Sequence, residues 1–193
     1  MNRIKFLLIS MVTLSTISMA EIKVAYLAGG CFWCTEANME KVPGVVDVIS
    51  GYSGGHVENP TYDQVSSGTT GHIESIEVKY DSNKINYSQL LHSFLRGIDP
   101  TDGEGQFVDR GYQYSPAIFY QNSTEEDLAK KALKQIQKEG HFAEINVKLL
   151  PFNKFYAAEK YHQDYYKKNP IRYKYYRYRS GRDQFLEKVW GNN

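Results

Sequence analysis

One strand pattern runs directly into two glycines and then into a helix pattern, and this junction constrains the fold most. Apolar residues recur at every second position over 22–28, as in a buried strand. Gly29-Gly30 end that strand, and residues 31–42 have the pattern of a helix that Pro43-Gly44 end. Because glycines let the backbone bend sharply, the chain passes from strand to helix at a tight turn that carries the first cysteine.

The rest of the chain continues the alternation of strands and helices. Residues 87–97 have helical spacing, as do 123–140 and 156–167, and the remaining apolar runs predict strands at 45–52, from 73 to the turn at 81–83, at 115–121 and at 145–150. This order predicts one mixed sheet with helices packed on it, an α+β domain. Two long loops, 53–71 and 98–113, lack regular periodicity, so we expect functional residues there.

Local signals place two of the later boundaries. Pro116 indicates that the strand at 115–121 lies at a sheet edge or begins near that residue, since proline cannot donate to a ladder. Ser123-Thr124-Glu125-Glu126 predicts a capping box at the start of the next helix.

Length and composition limit the classes of protein. The chain has 193 residues, 41% of them apolar, which suits one globular domain and argues against intrinsic disorder. Two cysteines exclude a disulfide scaffold and a four-cysteine zinc domain. A formal net charge of +1 argues against a dedicated nucleic-acid binder, which carries a strong basic excess.

The first twenty residues predict a signal peptide. Arg3 and Lys5 precede a mostly apolar run, and Ser18-Met19-Ala20 supplies small residues before a cut at Glu21. The run is too short for a comfortable permanent span, so we expect no stable membrane anchor. The mature domain is then 21–193, with one more acidic than basic side chain, and is periplasmic or secreted.

The Cys31-Phe32-Trp33-Cys34 sequence predicts redox chemistry. A cysteine at a helix N-terminus is expected to have a lowered thiol pKa, and a spacing of three residues suits a disulfide. A structural cystine, two inert thiols and a thioredoxin-like dithiol oxidoreductase are the alternatives. Zinc is disfavoured because there is no second cysteine pair, and Thr35 stands where haem attachment needs a histidine.

Motifs along most of the chain resemble the peptide methionine sulfoxide reductases of the A type. They occur in that family's order over residues 24–170 and comprise Gly30-Cys31-Phe32-Trp33, Gly51-Tyr52-Ser53-Gly54-Gly55, Asn59-Pro60-Thr61-Tyr62, Gly71-His72-Ile73-Glu74, Asp109-Arg110-Gly111-Tyr112-Gln113-Tyr114, Tyr161-His162-Gln163-Asp164-Tyr165 and Lys168-Asn169-Pro170.

The resemblance implies a fold and an activity. The fold is an α+β two-layer sandwich with a ferredoxin-like core. The activity is that of a peptide-methionine (S)-S-oxide reductase, which reduces methionine S-sulfoxide, free or in proteins, and so repairs oxidative damage. The resemblance implies no metal and no organic cofactor. We further expect a thioredoxin-like reductant, no nucleic-acid partner and a monomer.

The resemblance also assigns roles to residues. Cys31 matches the nucleophile and Glu74 the acid that protonates the leaving oxygen. Two hydroxyls that bind this oxygen match Tyr62 and Tyr114. Three further positions match substrate-binding residues: Phe32 and Trp33, which would box the S-methyl group, and Asp109. His72 and His162 are expected to be structural hydrogen bonders.

Two departures from the family pattern concern recycling. Many members have glycine where Cys34 stands and carry resolving cysteines in a glycine-rich tail, but no cysteine follows Cys34 here. We therefore predict that Cys34 resolves a sulfenic acid on Cys31. Residues 173–182 form instead a basic, tyrosine-rich tail, which we expect to cover the sheet; single-stranded nucleic-acid binding is the alternative for it.

Overall fold

The computed structural model describes residues 19–191. Most of the segment interpreted as a signal peptide, residues 1–18, therefore lies outside the described residues. Within 19–191, none of the helices combines the length and the apolar character needed to cross a membrane.

A six-stranded mixed sheet forms the centre of the domain, in the order β7-β6-β1-β3-β2-β8. Neighbouring strands are antiparallel except β6 and β7, which are parallel. The strands are β1 Ile22–Ala28, β2 Val45–Ser53, β3 Ile73–Asp81, β6 Ala117–Tyr120, β7 Lys148–Pro151 and β8 Phe155–Ala157, and a separate hairpin pairs β4 Gly105–Gln106 with β5 Asp109–Arg110.

Seven helices surround the sheet in the described residues. They are α1 Phe32–Met39, α2 Tyr62–Ser66, α3 Tyr87–Leu95, α4 Ser123–Lys138, α5 Tyr165–Lys168, α6 Pro170–Ser180 and α7 Arg182–Trp190. The main core lies between the sheet and helices α1, α3 and α4; among its fully buried side chains are Leu27, Phe32, Ile76, Leu90, Phe94 and Ile118.

The strand order confirms the α+β prediction and its ferredoxin-like core. Along the chain, β1-α1-β2-β3-α3-β6 is a strand-helix-strand repeated once, and the four strands lie in the order β6-β1-β3-β2. In such an arrangement β1 and β3 are central. Residues at the carboxyl end of β1 and the start of β3 therefore meet in the middle of the sheet, beside α1.

Residues 156–167 do not form the predicted helix. Phe155–Ala157 is instead the edge strand β8, which pairs with Gly51–Ser53 of β2, and only Tyr165–Lys168 is helical. The close approach depends on Gly51, since a Cβ there would lie 2.3 Å from the Phe155 ring. A contact with a distant glycine decided this element, and local spacing did not reveal it.

One boundary prediction needs correction, and another is confirmed in the second of its two alternatives. The N-cap of α4 is Asn122 rather than Ser123, and its side chain accepts from the Glu125 N–H at 3.0 Å. The strand after Pro116 is internal, because β1 and β7 flank it, although it does begin one residue after the proline. The proline has no N–H to leave unpaired, so the ladder starts at Ala117.

Candidate active site

The turn between β1 and α1 places Cys31 at the end of the central strand. Gly30 has φ +77°, and a Cβ there would lie 2.4 Å from Cβ of Gln106, so the turn requires glycine. Cys31 is the N-cap residue of α1, with φ −48° and ψ 117°, and is only 6% exposed. Its thiol therefore lies at the positive end of the helix, as the sequence predicts.

Glu74 lies on β3 opposite Tyr52 of β2 and faces the start of α1. The Phe32 N–H, one of the unpaired donors of that helix end, donates to Glu74 Oε2 at 3.0 Å. Burial raises the pKa of the Glu74 carboxyl to about 8, although the bond from Phe32 lowers it. The carboxyl is thus protonated at neutral pH, and Oε1, which has no partner among residues 19–191, can carry the proton.

A small cavity of about 80 Å³ opens beside the Cys31 thiol. Seven of the eight predicted site residues line it together with one residue of the tail: Cys31, Phe32, Trp33, Tyr62, Glu74, Asp109, Tyr114 and Tyr176. They come from α1, α2, β3, β5, the 3₁₀ turn at 112–114 and α6. The structure therefore brings together residues from both long loops and the turn, and leaves only Cys34 outside the lining.

Aromatic side chains form the apolar wall. The Trp33 ring stacks on Tyr165 at 3.8 Å between centroids, and its indole N–H donates to Nδ1 of His162 at 3.0 Å. The Phe32 ring lies 5.0 Å from the His162 ring and 6.3 Å from Tyr62. His162 is therefore a structural hydrogen bonder, as expected, and fixes the orientation of Trp33. The resulting wall suits a methyl group attached to sulfur.

Two tyrosine hydroxyls face this wall. Neither Tyr62 Oη nor Tyr114 Oη has a hydrogen-bond partner among the described residues, and burial raises both pKa values. Both phenols therefore stay protonated and can donate to an oxygen in the cavity. Glu159 holds Tyr62 in place, because its Oε1 accepts from the Tyr62 N–H at 2.8 Å.

Asp109 completes the polar side of the cavity and is held by the tail. The Tyr176 hydroxyl donates to Asp109 Oδ2. Burial raises the pKa of Asp109, while this hydrogen bond and the charge of Arg182 lower it. Tyr176 also contacts Trp33 edge-on, with centroids 5.9 Å apart. Helix α6 thus touches both the polar and the apolar wall.

Cys34 lies behind Cys31, one helical turn into α1, and is 1% exposed. Both cysteines are free thiols. Burial raises the pKa of Cys31 well above its usual value, contrary to the lowering expected at a helix N-terminus. A hydrogen bond from Cys31 lowers the pKa of Cys34 despite burial, and Arg182 and Arg177 lower it further. The resting pair therefore holds its first negative charge on Cys34.

The basic, tyrosine-rich tail covers α1 and the active-site turn rather than the sheet. Tyr173 packs against Cys34, and Arg177 donates to Asn38 Oδ1 at 2.8 Å. Sequence reasoning missed the role of Tyr176 in the cavity. The available signal was the helical spacing of Tyr173, Tyr176 and Arg177, three large side chains on one face.

A carboxylate cluster outside the cavity is the one group of metal-ligating type in the described residues. Glu36, Glu40 and Asp164 approach one another, but the Lys167 ammonium lies 2.6 Å from Glu40 and 2.8 Å from Asp164. That ammonium already supplies a positive charge. The cavity itself contains one thiol and two carboxyl groups, which suit acid and nucleophile chemistry.

A ferredoxin-like α+β domain with a buried thiol, a carboxyl whose pKa is raised and an aromatic wall is typical of a thiol-dependent enzyme acting on sulfur. Comparison with known proteins agrees. Residues 23–193 match the family model described as peptide methionine sulfoxide reductase. The chain therefore belongs to the peptide methionine sulfoxide reductase family, in its A type, whose members are peptide-methionine (S)-S-oxide reductases.

Individual relatives are similar over most of the chain. Peptide methionine sulfoxide reductase MsrA 2 of Staphylococcus aureus is 45% identical over 169 residues, which cover 87% of this chain and 96% of that protein. The MsrA/MsrB protein of Vibrio cholerae is 59% identical over 173 residues, 89% of this chain but 46% of that relative. The chain thus spans about half of the Vibrio protein's length.

Solved structures share the fold. Methionine sulfoxide reductase A of Corynebacterium diphtheriae is 30% identical, with a TM-score of 0.69 over 77% of this chain and 76% of that one. Reduced Mxr1 from Saccharomyces cerevisiae is 32% identical, with a TM-score of 0.73 over 77% and 86%.

Proposed function

We propose that this chain repairs oxidised methionine through its dithiol, with Cys31 as the nucleophile and Glu74 as the acid. One observation carries the assignment of roles: the cavity places a thiol at a helix N-terminus beside a buried carboxyl that stays protonated at neutral pH. Reduction of a sulfoxide needs both a nucleophile at sulfur and a proton at oxygen. The substrate is methionine S-sulfoxide, free or within proteins.

In the first step, Cys31 attacks the sulfoxide sulfur while Glu74 protonates the oxygen. Cys31 first passes its proton to the Cys34 thiolate, which leaves the negative charge on the Cys31 sulfur. Tyr62 and Tyr114 donate to the oxygen, and the Phe32–Trp33 wall holds the S-methyl group. The sulfoxide S–O bond breaks as its oxygen is transferred to the Cys31 sulfur, so Cys31 becomes a sulfenic acid and methionine is released.

In the second step, Cys34 resolves the sulfenic acid. Its sulfur attacks Cys31 Sγ, the S–O bond breaks, and the hydroxide takes the thiol proton to give water and a Cys31–Cys34 disulfide. Cys34 is the third residue after Cys31, on the same helix face, within bridging range after modest local adjustment. A thioredoxin-like dithiol protein then reduces the bond, in the periplasm or outside the cell if the leader is a signal peptide.

A substrate comparison tests the activity. The purified chain 21–193 is given each methionine sulfoxide epimer with a dithiol reductant, and in parallel a protein disulfide. We expect turnover of the S epimer alone. Reduction of the protein disulfide without sulfoxide turnover would favour a thioredoxin-like dithiol oxidoreductase, the alternative that the CxxC sequence leaves open.

A single-turnover experiment tests the role of Cys34. Reduced enzyme receives excess methionine S-sulfoxide without reductant, and its mass is measured. The proposal expects a loss of two hydrogens with the linkage mapped to residues 31 and 34. A gain of one oxygen on Cys31, with Cys34 still alkylatable, would show that the external reductant attacks the sulfenic acid directly.

A further inference from the structure

Arg182 is a fully buried cation that the reaction described above does not use. It is 1% exposed, and its two terminal nitrogens donate to backbone carbonyls, Nη1 to Gly97 at 2.7 Å and Nη2 to Gly29 at 2.9 Å. Its guanidinium carbon lies 4.6 Å from the Phe107 ring centroid. All of these partners are neutral.

Arg182 has no carboxylate in direct contact within the described part of the chain, and Asp109 is the carboxyl whose pKa its charge lowers. Among residues 19–191 Arg182 forms no ion pair, and its buried Nε has no hydrogen-bond partner. A buried charge without a counter-ion is strongly unfavourable, so burial of an arginine points to an anion nearby.

The position of Arg182 places the dithiol, as well as Asp109, within reach of its charge. Its Nη2 holds the carbonyl of Gly29 and would lie 3.3 Å from a Cβ at Gly30, the residue before Cys31. The guanidinium therefore lies against the turn that carries the dithiol. It reaches this site from the far end of the chain because Gly181, with φ +80°, turns the backbone between α6 and α7.

Two carboxyl groups and a second arginine also lie around the dithiol. Glu74 on β3 is protonated, and Asp109 on β5 accepts from Tyr176. Arg177 is paired with Asp183, with Nη2 to Oδ1 at 2.6 Å. The ionisable groups that face Cys34 are Cys31, Glu74, Asp109, Tyr173, Tyr176, Arg177 and Arg182. Arg182 is the one among them that brings an unpaired positive charge.

We propose that Arg182 is a positioning residue for resolution, and that its buried charge is the counter-ion of the dithiol thiolate that forms the Cys31–Cys34 disulfide. The charge favours the thiolate of Cys34, which attacks the sulfenic sulfur of Cys31, and the departing hydroxide takes up the proton that Cys34 releases, to form water. This inference rests on the proposed role of Cys34 as resolving thiol. Independent support comes from the lowered pKa of Cys34, to which Arg182 contributes after the hydrogen bond from Cys31.

Three variants test the charge. Arg182→Met removes it, Arg182→Lys keeps it, and Arg179→Met is the matched control, since Arg179 is an exposed cation on α6. For each variant, the first thiol ionisation is followed by thiolate absorbance against pH. We expect Arg182→Met to raise the apparent pKa of the first thiol ionisation by about one unit. Arg182→Lys should return this pKa to near its wild-type value. Arg179→Met should leave the value unchanged.

The same variants separate an electrostatic role from a purely structural one. Rapid-quench alkylation after one substrate pulse gives the rate of disulfide formation at pH 5, below the thiol pKa of about 6, where the rate should fall about tenfold in Arg182→Met because its thiolate fraction is smaller. If Arg182 only anchors the tail, Arg182→Met would unfold at lower temperature while the thiol pKa and this rate stayed at wild-type values. That result overturns the proposal.

If Arg182→Met does not fold, a pH titration of the wild-type enzyme followed by NMR tests the same proposal. The buried Nε–H of Arg182 gives a slowly exchanging NMR signal, and in reduced enzyme its shift should follow the first thiol ionisation. An Nε–H signal that does not move with the thiols refutes the proposal. If the wild type instead consumes sulfoxide without forming the disulfide, the proposed role of Cys34 fails first, and the mass experiment identifies that outcome separately.

Discussion

The buried Cys31 thiol is the one side chain whose loss should end the reaction. Cys31→Ser is expected to abolish reduction of methionine S-sulfoxide and to leave the fold intact, because the hydroxyl fits where the thiol was. Cys34→Ser should still consume one equivalent of substrate, more slowly because Cys31 then ionises alone, and should turn over poorly with a thioredoxin-type donor. Single-turnover and steady-state assays measure the two effects. Full turnover by Cys34→Ser would contradict its role in resolution.

We expect Glu74 to set the alkaline limit of the reaction. Its raised pKa of about 8 means that the proton is available below that pH and is lost as the pH rises through it. Activity should therefore fall on the alkaline side with a midpoint near pH 8. Glu74→Gln should slow reduction about 10²-fold and remove that limb. The pH profile of kcat/KM checks both, and an unchanged rate and profile would mean that the proton comes from another group.

Glu36 joins three elements at the back of the site. Its Oε2 accepts from Ser50 Oγ of β2 at 2.6 Å and its Oε1 from the Asp164 N–H at 2.7 Å, while its own backbone belongs to α1. Burial raises its pKa to about 7, although both hydrogen bonds lower it. The fold therefore favours the protonated form of the Glu36 carboxyl over the ionised form.

A pH-dependent stability follows from Glu36. Because its folded pKa lies above the unfolded value, its contribution is fully present at low pH and is lost as the pH rises through about 7. Glu36→Gln should match wild type at pH 4 and be more stable at pH 8 by roughly 2–3 kcal/mol. Denaturant unfolding at the two pH values measures this. Exposed Glu144→Gln is the control, and an equal pH dependence in wild type and Glu36→Gln would contradict the prediction.

At the level of elements, sequence periodicity predicted the strands and helices that bury one face against the core. The apolar alternation of β1 and the helical spacing of α3 predicted Ile22–Ala28 and Tyr87–Leu95, because each buries one face on the core. It failed at β8, whose pairing depends on Gly51 many residues away. The same limit applies to the site. Tyr62 and Asp109 were found through family motifs. Tyr176 lies in the cavity and Arg182 lies against the active-site turn only because the tail packs there, which no local pattern shows.

At the scale of the whole molecule, the tail helices have one face on the active site and an opposite face that is basic, aromatic and exposed. Residues 165–182 contain seven basic and no acidic side chains. Tyr173 packs against Cys34, Tyr176 lines the cavity and Arg182 holds the Gly29 carbonyl, while Tyr175 and Tyr178 are 67% and 68% exposed. One segment thus encloses the reacting thiols and also supplies a basic aromatic surface. Salt-dependent binding of an oligonucleotide to that surface would revive nucleic-acid binding as an alternative role.

Export of the whole chain is the last prediction, and it depends on the segment before β1. Ser18 and Ala20 are small residues before Glu21, and the family match begins at residue 23. Removal of residues 1–20 spares β1, since the Glu21 carbonyl still accepts from the Ser82 N–H at 2.9 Å. Intact mass of the native protein should correspond to a chain beginning at Glu21. Ala20→Phe should block the cut while Lys23→Arg should not, and recovery of full-length wild-type protein from the cytoplasm would refute export.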